Sequence, residues 1–83
     1  MNTGTPSIPA ETACHVLYVF GYGGYPPGRW SEQLLELIAG ADIENIALLA
    51  QAFPIEVQAV QIAKYDKGGI ARLQAIANGQ AAA

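Results

Sequence analysis

Ser31-Glu-Gln-Leu-Leu-Glu-Leu-Ile-Ala-Gly40 and, after a very short link, Asp42-Ile-Glu-Asn-Ile-Ala-Leu-Leu-Ala-Gln-Ala-Phe-Pro54 decide the fold. In the first segment Trp30, Leu34, Leu37, Ile38 and Ala41 recur at helical spacing, while Glu32, Gln33 and Glu36 fall off that stripe. Ser31 is positioned to cap this helix, Glu32 suits the positive end of its dipole, and Gly40 is a natural stop. In the second segment Asp42 reads as a cap. At about 100° per residue, Ile46, Leu48, Leu49 and Phe53 then point in different directions, so the helix from Ile43 to Ala52 is apolar nearly all round. Such a helix calls for neighbours on every side.

Pro54 fits a first helical position and pushes Phe53 out of the α region, so a third helix starts at that corner. Its stripe is Ile55, Ala59, Ile62 and Ala63, flanked by Val57 and Val60, and Lys64 to Lys67 form a polar end before Gly68-Gly69. Ile70, Leu73, Ile76 and Ala77 mark a short fourth helix closed by Asn78-Gly79. Upstream, residues 1–13 hold Pro6 and Pro9 without either periodicity and read as a flexible arm outside the core. His15-Val-Leu-Tyr-Val-Phe20 is rich in β-branched and aromatic residues and reads as a short strand or as extended chain packed on helices. The expected architecture is all-α, a small bundle of three to four short helices with an extended N-terminal segment. Residues 14–79 form the domain and residues 80–83 a frayed tail.

A chain of 83 residues buries only about 60% of its unfolded surface, which leaves a lone monomer marginal. Cys14 has no partner for a disulfide, and Cys14 beside the single His15 lacks the spacing of a zinc site, so no metal or cofactor is expected. Homo-oligomerisation is the remaining source of stability. With 52% hydrophobic and 13% charged residues the chain is too apolar for disorder. The run from Val16 to Phe20 is too short to span a membrane, and no basic flank of a secretory signal is seen, so a cytoplasmic location and no membrane partner are expected. The net charge of −3 disfavours nucleic-acid binding.

Gly21-Tyr-Gly-Gly-Tyr-Pro-Pro-Gly-Arg-Trp30 is the candidate binding segment. Pro26 stands where a dinucleotide fingerprint requires its third glycine. Glycine N–H groups ahead of a helix N-terminus nonetheless suit an anion, Arg29 supplies a charge, and Tyr22, Tyr25 and Trp30 offer stacking faces. The alternative is a rigid Tyr25-Pro-Pro-Gly28 turn with Trp30 as core anchor and Arg29 solvated. The expected ligand residues are Tyr22, Gly23, Gly24, Tyr25, Arg29 and Trp30, with Lys64, Lys67 and Arg72 as a second anion contact. No nucleophile, base and orienter set is visible, so no enzyme activity is expected.

Gly23-Gly-Tyr-Pro-Pro-Gly28, Leu34-Leu-Glu-Leu-Ile38, Ala41-Asp42 with Asn45, and Ala52-Phe53-Pro54 with Val57, Ala59 and Val60 together resemble a group of small tailed-phage proteins, mostly of unassigned function. The resemblance covers about residues 21–63; the family's turn usually leads into a Ser-aromatic pair where this chain has Arg29-Trp30. It implies a phage accessory protein in the host cytoplasm, of a size class that often counters host defence. The class expected here oligomerises around and sequesters a nucleotide-type immune signal, such as a cyclic nucleotide or ADP-ribose derivative, without catalysis. Another binds a host or virion protein as inhibitor or adaptor.

Overall fold

A computed structural model describes residues 7–79 as five helices in sequence: α1 Ala10–Phe20, α2 Arg29–Gly40, α3 Ile43–Ala52, α4 Pro54–Tyr65 and α5 Gly69–Ala77. Among the described residues there is no strand, so the all-α architecture holds with five helices in place of three to four. Residues 1–6 and 80–83 lie outside the described residues, and with them part of the expected arm and the whole of the expected tail.

The fifth helix is α1, where a strand or extended segment is expected. Ala13, Val16, Leu17 and Phe20 follow the i, i+3, i+4, i+7 spacing of a helix face. The first three are buried, and Phe20 packs against the core. Burial of that face against α5 and α4 outweighs the β propensity of Val16, Val19 and the aromatic residues. The end of α1 is a Schellman turn: Gly21 is left-handed at φ 83°, its N–H donates to the Tyr18 carbonyl at 3.1 Å, and Tyr22 N–H donates to the Leu17 carbonyl at 2.9 Å. Residues 10–13 therefore belong to the helical domain. Ile8, only 3% exposed, joins the core just before the N-cap Pro9, contrary to an arm outside it.

The centre of the fold is α4, which packs on all four other helices. Its Val57, Ala59, Val60 and Ile62 are buried and meet Leu35 and Ile38 of α2, Val16 and Leu17 of α1, and Leu73 and Ile76 of α5 in one apolar cluster. Pro54 at the first position of α4 sets the turn out of α3, as its sequence position predicts. The helix expected to need neighbours on every side, α3, has no buried residue and packs essentially on α4 alone. Within one chain it is a surface helix.

Two details of α2 also differ. The helix begins at Arg29 with Gly28 as N-cap and no side-chain cap, so Ser31 already lies inside the first turn. Its buried residues are Leu35 and Ile38, whereas Trp30 and Leu37 are 65% and 59% exposed. The face is rotated because α1 and α4 approach from the Leu35 side, and four apolar residues within Leu34 to Ile38 cannot all face one neighbour. Asp42 caps α3 as expected, its carboxylate accepting from Asn45 N–H at 2.8 Å.

The contact between α4 and α5 needs a residue without a side chain. A Cβ on the buried Gly69 would run into the Ile62 carbonyl oxygen. Gly69→Ala should therefore cost about 1–3 kcal/mol, read as a lower denaturation midpoint. Gly40→Ala, at a helical position with open space around it, should be neutral or stabilising by up to about 1 kcal/mol.

Candidate functional site

The glycine loop folds back on α1. Gly24, at φ 71°, comes so close that a Cβ would strike the Cys14 carbonyl, and Tyr25 sets its ring edge-to-face on His15 at 5.2 Å and 85°. Tyr22 turns the other way, into a cleft of about 310 Å³ shared with Leu17, Gln74 and Asn78. Trp30 packs at 5.9 Å on Phe53 at the α3–α4 corner and covers a small cavity of about 90 Å³ that also touches His15, Ser31 and Glu56. The three aromatic rings thus serve three separate contacts. None of the lined clefts contains Tyr22, Tyr25 and Trp30 together. Gly23, at φ 100°, is exposed at the tip of the loop, and Arg29 is exposed at the first turn of α2 with no ion pair among the described residues.

Loss of solvent where Tyr25 lies against α1, followed by the adjacent Cys14 side chain and then Glu11, pushes its phenol above the ordinary 10.0. The folded protein thus holds that proton more tightly than the unfolded chain.

The other three cations have structural partners or stand apart. Lys64 donates to the Ala39 carbonyl at 2.6 Å, closing the C-terminal end of α2, and its ammonium lies 5.0 Å from the centre of the Tyr65 ring. Arg72 pairs with Asp66 at 3.9 Å across an exposed surface. Lys67 is exposed in the α4–α5 turn. Of the three charges expected as a second anion contact, Lys64 is engaged at a helix end, Arg72 makes one long pair exposed to solvent, and Lys67 stands apart.

A wider concavity than the clefts at the glycine loop lies between α2 and α3. These helices are joined by only Ala41 and Asp42, yet they scarcely touch, because each packs on α4 instead. The gap is an open groove of about 620 Å³ whose apolar lining is Leu37, Ala41, Leu48, Leu49 and Ala52. Glu36, Asp42 and Asn45 form its polar part. Leu48 is 62% exposed, and Leu37 continues the patch to Trp30 and Leu34 on the outer face of α2. None of these groove residues is among the ligand residues expected from the sequence. The legible signal for them was the apolar excess itself: leucines on several sides of α2, and an α3 apolar all round.

Among the described residues no group of three His, Cys, Asp or Glu side chains is placed to hold a metal ion, and no helix is long and apolar enough to cross a membrane. Comparison with protein-family models, curated proteins and solved structures finds no match for the chain.

The raised Tyr25 phenol has a consequence for alkaline stability. The stabilisation linked to it is complete below pH 10.0 and is lost as pH rises through the folded-state value. The denaturation midpoint should fall more steeply at alkaline pH in the native protein than in Tyr25→Phe.

Proposed function

We propose that this chain is a small non-catalytic binding protein that docks on another protein through the apolar surface of α2 and α3. In keeping with its resemblance to small tailed-phage proteins, it would act in the host as an inhibitor or adaptor of a host or virion protein. The observation that carries this reading is the groove of about 620 Å³ between α2 and α3, bordered by Leu37 and Leu48, each more than half exposed. Contiguous exposed apolar side chains rimmed by polar ones are a feature of protein–protein contact surfaces. Helical partners use grooves of this shape, inserting residues spaced by one and two turns.

A second reading keeps the glycine loop as the working surface of a homo-oligomer that sequesters a nucleotide-type immune signal. Its support is Arg29, exposed and without an ion pair among the described residues, beside the half-exposed Tyr22 and Tyr25. Calorimetry against cyclic dinucleotides and ADP-ribose derivatives tests it, and no heat at micromolar concentrations would remove it.

One set of variants separates the two. Leu37→Glu and Leu48→Glu change exposed side chains, so stability should shift by no more than about 0.5 kcal/mol. Native mass spectrometry of complexes from infected cells should show an identified protein partner that these variants lose and Arg29→Ala retains. Loss with Arg29→Ala alone, together with a retained small molecule in the native complex, would favour the loop.

A further inference from the structure

We infer that the occupant of the α2–α3 groove is an amphipathic helix of a partner protein whose apolar stripe is flanked by lysine or arginine. This rests on the groove being a protein-docking surface, as proposed above, and adds the chemistry of what docks.

Charge selects the partner. Both ionisable side chains that line the groove, Glu36 and Asp42, are acidic and exposed, and Glu44 stands exposed in the first turn of α3. No lysine or arginine lines it. Lys64 sets one positive charge at the hinge end, on the Ala39 carbonyl, against the three carboxylates of Glu36, Asp42 and Glu44, so negative charge stays in excess there; Arg72 pairs with Asp66 in the α4–α5 turn. Arg29 lies two turns from Glu36, at the opposite end of α2, about 10 Å away along the axis. The result is an apolar slot with an acidic end, which favours a basic residue there and rejects an acidic one.

Shape selects a helix. The slot lies between two helices that diverge from a two-residue hinge, and α3 is 10 residues long, about 15 Å. That length accepts apolar side chains at i, i+4 and i+7 of a single helix. Gly40, Ala41 and Ala52 leave room for large side chains. A second copy set groove to groove brings no basic side chain to this acidic end, because no lysine or arginine lines the groove.

The test uses two synthetic helical peptides of identical leucine stripe, one flanked by lysine and one by glutamate, titrated into the isotopically labelled full chain and followed by amide chemical shifts. The lysine-flanked peptide should perturb residues of the groove, bind at least about tenfold more tightly than the glutamate-flanked one, and weaken as salt is added. Glu36→Lys, an exposed change away from the core, should reduce or invert that preference while leaving the unbound spectrum elsewhere unchanged. Equal binding of both peptides in the groove would overturn the basic-partner inference and leave the docking surface standing. No groove shifts from either peptide up to about 1 mM would sink both. Concentration-dependent groove shifts without peptide, abolished by Leu48→Glu, would identify a second copy as the occupant and overturn the inference.

Discussion

Val57, Ala59, Val60 and Ile62 turn α4 into the post on which every other helix leans. A short chain can bury one helix fully only by spending the remaining helices around it, and the apolar cluster is arranged in this way. Ala59, with no exposed surface, lets a neighbouring backbone come close, while Gly69 lets α5 start against Ile62. With α4 as the shared neighbour, α1 and α5 close one side in the fold's most extensive helix pairing, and α2 and α3 take the other.

That geometry explains the groove. Because α2 and α3 are each tied to α4, and Lys64 of α4 holds the end of α2 through the Ala39 carbonyl, neither helix is free to close on the other. Apolar residues on their facing sides are therefore left without intramolecular partners. The exposed Leu37, Ile43 and Leu48 follow from the packing of α4, and the binding surface proposed above is the side of the fold that no helix among the described residues covers.

The glycine loop illustrates how one composition can serve two purposes. Its Gly21 ends α1 with a left-handed turn, and its Gly24 allows the chain to press on Cys14, so both glycines have conformational roles. Tyr25 on His15 and Trp30 on Phe53 then use their rings to pin the loop across α1 and the α3–α4 corner. A phosphate-cradling loop would be written with much the same residues, which is why the sequence alone leaves both readings open.

Local chemistry determined what the sequence could determine: the Asp42 cap, the Phe53-Pro54 corner, the Gly68-Gly69 break and the helical character of α2 to α5 each depend on neighbours within a turn or two. Segment α1 was ambiguous, because Val16, Leu17, Val19 and Phe20 satisfy both β propensity and helical spacing, and contact with α5 decides between them. Which helix becomes the centre, which side of α2 turns inward and whether the three loop aromatics meet were decided only by the tertiary structure. Those outcomes depend on competition among several apolar faces for one small core, and residues far apart in sequence settle it together.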